Sequence, residues 1–154
     1  MKVSEVMSNN LTYCMATDTA QHVAEMMKRS DVGSVPIMDV SGSRRLVGTV
    51  TDRDLCLKVI GRGLPASTPI QHLMTRHVIT CHVDDSLERC EGLMRKHQLR
   101  RIPVVDGDGL CVGMVAQADV ALHDNSQHIQ MTLREISRPV NGAMHAHEAV
   151  LARA

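Results

Sequence analysis

An internal repeat is the feature of this sequence that most limits its possible folds. Residues 3–55, called copy one here, follow the same pattern as residues 70–120, called copy two. The offset is 67 positions before a turn that differs by two residues, and 65 positions after it. Corresponding pairs are Met7 and Met74, Cys14 and Cys81, Pro36 and Pro103, Gly48 and Gly113, and Asp54 and Asp119. A repeat of this length is one supersecondary unit, so we expect two similar units and any site in two versions.

The residue pattern predicts the same order of elements in both copies. A short opening helix is followed by a strand, a helix, two strands and a second helix. In copy one, residues 17–19 supply N-cap side chains for the first helix, and the second helix starts at Thr51. Each unit alone would leave one face of its sheet exposed to water. We therefore predict an α/β (α+β) fold in which the two units pack around a pseudo-twofold axis.

These patterns also set the expected domain boundaries. We predict the first repeat at residues 1–60, a linker rich in helix breakers at 61–69, the second repeat at 70–122, and a C-terminal helix and flexible tail at 123–154. Ser126 is placed to cap this last helix, which Pro139 ends. The apolar side chains of its packed face are Ile129, Leu133 and Ile136.

Composition argues against several classes of partner. Seventeen basic and seventeen acidic residues balance, which disfavours nucleic acid and anionic membranes as partners. No apolar run has the length of a signal peptide or a membrane span, so we expect a cytoplasmic protein. The five cysteines lack Cys-x-x-Cys spacing and predict buried reduced thiols. A thiol-based redox sensor remains an alternative because Cys14 and Cys81 are equivalent.

Neither metal chemistry nor catalysis has a convincing residue pattern. His145, His147 and Glu148 form the tightest cluster of possible ligands, but no further residue completes a four-ligand site. No combination of nucleophile, base and orienting acid is recognisable. We therefore expect no metal site, no catalytic residue and no enzyme activity.

The repeated motifs carry a family resemblance. They are Gly33-Ser34-Val35-Pro36-Ile37 and Gly48-Thr49-Val50-Thr51-Asp52-Arg53-Asp54-Leu55 in copy one, and Leu99-Arg100-Arg101-Ile102-Pro103-Val104 and Gly113-Met114-Val115-Ala116-Gln117-Ala118-Asp119-Val120 in copy two. Over about residues 1–122 the chain resembles a tandem pair of CBS (cystathionine β-synthase) domains, as in small stand-alone bacterial proteins. The resemblance implies two βαββα repeats with two clefts between them. It also implies an adenosine-containing ligand such as AMP, ADP, ATP or S-adenosylmethionine, with no permanently bound cofactor, and a homodimer.

In the family, a Ser or Thr followed three residues later by Asp binds ribose, which points to Thr51 and Asp54 in copy one. A carboxylate can accept hydrogen bonds from both ribose hydroxyls. The same spacing also fits a capping box, a purely structural role, and this alternative stays open. Copy two keeps Asp119 but has Ala116 in place of the hydroxyl, so the resemblance implies a weaker second cleft.

The remaining ligand-binding candidates also follow from the resemblance. Arg53 lies beside the expected ribose, and Arg100 and Arg101 match basic positions that contact phosphate in nucleotide-binding members. An adenine slot is expected along the extended segments and the first long strand of copy one, at Thr12, Tyr13, Val35 and Pro36.

We therefore expect a non-catalytic regulatory module that binds an adenosine nucleotide and signals through a homodimer to a protein partner. The alternative is a constitutive dimerisation scaffold that binds no nucleotide.

Overall fold

The computed structural model describes residues 1–123 and 127–138, and in it both copies adopt the predicted βαββα order. Each copy opens with a 3-10 turn, at Val3–Glu5 and at Ile70–His72. Copy one continues with β1 (Cys14–Met15), α1 (Ala20–Ser30), β2 (Ser34–Met38), β3 (Leu46–Thr51) and α2 (Asp52–Leu55), which runs on as a π-helical turn (Cys56–Ile60). Copy two comprises β4 (Cys81–His82), α3 (Leu87–His97), β5 (Arg101–Val105), β6 (Cys111–Ala116) and α4 (Gln117–His123), and α5 (Gln127–Ser137) follows.

The first helix of each copy begins and ends by the same local chemistry. The Thr19 hydroxyl accepts a hydrogen bond from the backbone N–H of His22, and the Ser86 hydroxyl does the same for Arg89, each at 3.2 Å. These side chains satisfy amides that the first turn of a helix leaves without partners. At the other end, Asp31 and its counterpart Gln98 adopt left-handed backbone conformations that stop the helices.

The two copies are joined by an exchange of their opening segments, which are the residues before the first strand of each copy (3–13 and 70–80). Each copy forms a three-stranded sheet, in the order β1-β2-β3 or β4-β5-β6. Ser8 of copy one pairs with Met114 in β6, and Thr75 of copy two pairs with Thr49 in β3. Each opening segment therefore runs along the last strand of the other copy.

The hydrophobic core follows the same exchange. Val3 and Val6 of copy one belong to the cluster around Met94 and Ile102 of copy two. Ile70, Leu73 and Met74 of copy two belong to the cluster around α1, β2 and β3. Since neither cluster is complete without the other copy, the prediction that the two repeats pack together is confirmed.

The C-terminal helix exists, and two of the three side chains predicted for its packed face contact the core. Ile136 is buried and Ile129 packs against the core as expected, whereas Leu133 is exposed and Thr132 is buried. The reason is a polar contact between α5 and α3, in which the buried Glu91 accepts a hydrogen bond from Thr132. Ser126, Pro139 and the tail at 140–154 lie outside the described residues. Within the described part of the chain, no helix combines the length and apolar character needed to cross a membrane.

Candidate functional site: a cleft between the copies

A cavity of about 210 Å³ lies where the opening segment of copy one crosses the end of β6. Copy one contributes this segment and the residues before and at the start of β2. Copy two contributes the first residue of β5, the end of β6 and the first turn of α4. The lining residues are Ser8, Asn10, Leu11, Thr12, Val32, Ser34, Arg101, Met114, Ala116 and Asp119.

Asp119 places a carboxylate in this cavity. Its Oδ2 accepts a hydrogen bond of 2.7 Å from the backbone N–H of Ala116. Among the described residues, no hydrogen bond or ion pair reaches its Oδ1. A half-buried carboxylate with one unused oxygen can accept hydrogen bonds from a ligand's hydroxyl groups.

Arg101 also lines the cavity, its side chain is exposed to solvent, and its guanidinium lies beside Gly33. A Cβ atom at Gly33 would lie 3.6 Å from Nη1 of Arg101 and 3.0 Å from Oδ2 of Asp52. The apolar side chains of Leu11, Val32 and Met114 line other parts of the cavity. A carboxylate, a guanidinium and apolar surface together suit a ligand that has hydroxyls, an anionic group and a flat apolar ring.

The equivalent carboxylate of copy one is already occupied within the protein. Oδ2 of Asp54 accepts hydrogen bonds from the backbone N–H of Thr51 at 2.9 Å and from its hydroxyl at 2.8 Å. The backbone N–H of Asp54 in turn donates to the Thr51 hydroxyl at 3.0 Å. The capping-box interpretation of this pair is therefore confirmed. Oδ1 of Asp54 forms an ion pair with Nζ of Lys58 at 3.0 Å.

The repeat, the crossed segments and the cavity between the copies agree with a known family. A sequence profile of the CBS domain matches residues 3–61 and 70–124. The chain belongs to the CBS domain family. It is 38% identical over 125 residues to the uncharacterized protein YlbB of Bacillus subtilis, a match covering 81% of this chain and 83% of YlbB. It is 31% identical over 138 residues to Hypoxic response protein 1 of Mycobacterium tuberculosis, covering 88% and 94% of the two chains.

Solved CBS structures show the same fold. Hypoxic Response Protein I with two coordinated zinc ions has a TM-score of 0.73 at 29% identity, over 80% of this chain and 99% of that chain. The CBS domain pair of MJ0100, in complex with 5-methylthioadenosine and S-adenosyl-L-methionine, has a TM-score of 0.71 at 26% identity, over 79% and 94%. CBSX2 in complex with AMP has a TM-score of 0.67 at 25% identity, over 79% and 93%.

The CBS fold brings three of the predicted ligand-binding residues into the cavity, namely Thr12, Arg101 and Asp119. Thr51 and Asp54 do not line it and occupy the equivalent positions in copy one. Val35 and Pro36 are buried in β2, and Val35 belongs to the core. Tyr13 is half-buried, Arg53 and Arg100 are exposed, and none of the three lines this cavity.

Sequence reasoning missed several residues that line the cavity, including Ser8, Asn10 and Met114. They meet because Ser8 pairs with Met114 across the two copies. One signal for this crossing is the glycine at equivalent positions of the two last strands, Gly48 and Gly113. A Cβ atom at Gly113 would lie 3.0 Å from the carbonyl oxygen of Ser8, so the close approach of the opening segment requires glycine.

Four of the five cysteines are buried and free, as predicted, whereas Cys56 is exposed. Burial raises the pKa of Cys14 to about 12 and that of Cys111 to about 11. A hydrogen bond from Cys90 lowers the pKa of Cys81 and raises that of Cys90. Cys14 and Cys81 thus differ in pKa although they are equivalent in the repeat.

Residues 1–123 and 127–138 contain no group of three or more His, Cys, Asp or Glu side chains arranged to hold a metal ion. The cluster of His145, His147 and Glu148 lies outside the described residues.

Proposed function

We propose that this CBS pair is a non-catalytic regulatory module that binds an adenosine-containing ligand in the cleft of Asp119 and Arg101. The observation that carries the proposal is one cavity lined by both Arg101 and Asp119, whose Oδ1 has no partner among the described residues. The carboxylate accepts hydrogen bonds from the two ribose hydroxyls, and the guanidinium pairs with phosphate. Complexes of CBSX2 with AMP and of MJ0100 with S-adenosyl-L-methionine support this class of ligand.

The stronger site is then in copy two, and not in copy one as the sequence predicted. The hydroxyl of Thr51 suggested copy one, but in the structure that hydroxyl donates to Asp54. Asp119 lacks a hydroxyl partner at Ala116 and therefore keeps more of its hydrogen-bonding capacity for a ligand. Arg101 favours an anionic ligand, so among adenosine compounds we expect AMP, ADP or ATP to bind better than the cationic S-adenosylmethionine.

The test is calorimetric titration of the full chain with AMP, ADP, ATP, NADH and S-adenosylmethionine. We expect an adenine nucleotide to bind, and we expect Asp119→Ala to weaken its affinity by about tenfold or more, because two charge-assisted hydrogen bonds are lost. Asp54→Ala should leave the affinity unchanged. The absence of binding by all five compounds would support a dimerisation scaffold instead.

We further propose that the module acts as a homodimer through α4 and the π-helical turn that follows α2. Leu57 and Leu122 occupy equivalent positions 65 residues apart, and both are exposed, at 46% and 79%. Ile60 beside Leu57 is also exposed. Apolar side chains in corresponding places on both copies fit a symmetric contact with a second copy of the chain. Leu57→Glu and Leu122→Glu should each shift the sedimentation coefficient toward that of a monomer, and an unchanged dimer would contradict this surface.

A further inference from the structure

Lys58 is held at Asp54, the copy-one counterpart of Asp119, by two contacts. Its Nζ lies 3.0 Å from Oδ1 of Asp54 and donates a hydrogen bond of 2.7 Å to the carbonyl oxygen of Leu73. Only 13% of the lysine side chain and 16% of the aspartate side chain are exposed to solvent. The ammonium group therefore occupies a fixed and partly desolvated position on the carboxylate that is equivalent to Asp119.

Among the described residues, copy two has no such contact. The residue equivalent to Lys58 is His123, 65 positions later. Nδ1 of His123 lies 2.8 Å from the backbone carbonyl oxygen of Asp119, so the ring is held by the backbone and not by the carboxylate. The backbone differs as well, because Lys58 lies in the π-helical turn Cys56–Ile60 whereas α4 is a regular helix up to His123. The two carboxylates are thus equivalent in the repeat but different in availability.

The contacts of Asp54 leave little room for a ribose. Oδ2 already accepts two hydrogen bonds from Thr51, and Oδ1 accepts the ammonium of Lys58. Two ribose hydroxyls need one acceptor position each, so a ribose must displace either the Thr51 hydroxyl or Lys58. Displacing Lys58 also breaks its hydrogen bond to Leu73 and separates two partly buried opposite charges, which is unfavourable.

The hydrogen bond from Lys58 to Leu73 also reaches the opening segment of copy two. Leu73 lies two residues before Thr75, whose backbone pairs with Thr49 in β3. Lys58 thereby connects the carboxylate to the segment of copy two that crosses β3.

We propose that Lys58 acts as an internal cation that blocks the Asp54 cleft, so that the chain binds one adenosine ligand, in the Asp119 cleft, and not two. This inference rests on the proposed function, since it concerns the second version of the same site. Lys58 is a specificity-determining residue in this view, because it decides which of two related clefts is open.

The test is the stoichiometry of AMP binding by calorimetry, carried to millimolar AMP. Lys58→Gln removes the positive charge and keeps a donor for the Leu73 carbonyl. Lys58→Met serves in parallel, since its unbranched side chain fills the same volume. Each variant is made in the wild-type, Asp119→Ala and Asp54→Ala backgrounds, and thermal unfolding checks that each is folded. His123→Met is the matched control, and Lys58→Arg tests whether a retained charge keeps the cleft closed.

We expect one AMP per wild-type chain, two per Lys58→Gln chain, and one per Lys58→Gln chain that also carries Asp119→Ala or Asp54→Ala. The affinity of the Asp54 cleft should rise by about tenfold or more when the charged contact is removed. His123→Met and Lys58→Arg should each bind one AMP.

The outcomes separate the two proposals. Two AMP molecules per wild-type chain, or none in Lys58→Gln with Asp119→Ala while the wild type binds one, would overturn the role of Lys58 and leave the proposed function standing. Binding by that double variant when the wild type binds none would support Lys58 and overturn the Asp119 site. No binding by any variant would overturn both.

Discussion

The hydroxyl of Thr132 donates a hydrogen bond of 3.0 Å to Oε2 of Glu91 and thereby joins α5 to α3. Nη1 of Arg95 donates to the same hydroxyl at 2.7 Å. Glu91 and Thr132 are 2% and 0% exposed. In copy one the positions of Glu91 and Arg95 hold Ala24 and Lys28, so this polar contact belongs to copy two alone.

Replacing Thr132 with valine keeps the shape of the side chain and removes its hydroxyl. We expect Thr132→Val to lower the free energy of unfolding by about 1–2 kcal/mol, because a buried hydrogen bond to a charged group is lost. Urea denaturation measures this difference. Thr17→Val, at an exposed threonine, is the control and should be neutral. Equal stability of the two variants would show that the hydroxyl contributes nothing to the docking of α5.

Arg101 should distinguish charged from uncharged adenosine ligands. Arg101→Gln removes the guanidinium from the cavity, so the affinity for AMP should fall by about five- to tenfold while that for adenosine changes less than about twofold. The loss should shrink as salt is raised, because this arginine is exposed to solvent. Arg62→Gln in the linker is the matched control. A loss of the same size for both ligands would mean that Arg101 shapes the cleft and does not bind phosphate.

Local sequence signals were sufficient to predict the elements of the fold. Thr19 and Ser86 each precede an amphipathic pattern, and both cap helices in the structure. The way the opening segments cross could not be predicted from local signals, because a bridge such as Ser8 to Met114 joins residues far apart in the chain. The sequence alone therefore does not show which opening segment lies beside which carboxylate.

Prediction of the candidate site was limited as well, because the roles of its residues depend on side-chain geometry. The spacing of Thr51 and Asp54 is compatible with both ribose binding and a capping box, and only coordinates show that the capping hydrogen bonds form. Alignment of the two copies does show that Lys58 corresponds to His123. It does not reveal that the lysine turns back to its own carboxylate, since this depends on the π-helical turn around it.

The thiols provide a test of the redox alternative. Burial holds the pKa of Cys14 at about 12, so this thiol stays protonated and unreactive between pH 7 and 9 in the folded protein. Cys56 is exposed, and Ellman's reagent should therefore modify one thiol per chain rapidly. Cys56→Ser should remove the rapid phase, and Cys14→Ser should leave it unchanged. A rapid phase that persists in Cys56→Ser would point to a reactive buried cysteine.

The raised pKa of Cys14 also predicts a dependence of stability on pH. An unfolded thiol titrates near its ordinary value of 9.0, whereas the folded one titrates at about 12. The folded state therefore binds more protons over this interval, and its stability should fall as the pH rises from about 9 towards 12. The loss should be smaller in Cys14→Ser than in the wild type when urea midpoints are compared at pH 8 and pH 10. Identical pH dependence in the two proteins would contradict a buried, protonated Cys14.

Gly113 should be needed for both the fold and the cleft. A Cβ atom there would lie 2.8 Å from Sδ of Met7 and 3.0 Å from the carbonyl oxygen of Ser8. Gly113→Ala must therefore push the opening segment away from β6, which should lower the free energy of unfolding by about 1–3 kcal/mol. Because Ser8 lines the cavity, AMP affinity should fall as well. Gly107→Ala is the control, since an added Cβ there meets no atom within 4 Å. If Gly113→Ala keeps both stability and AMP affinity, the crossing of the opening segment over β6 is not what builds this cleft.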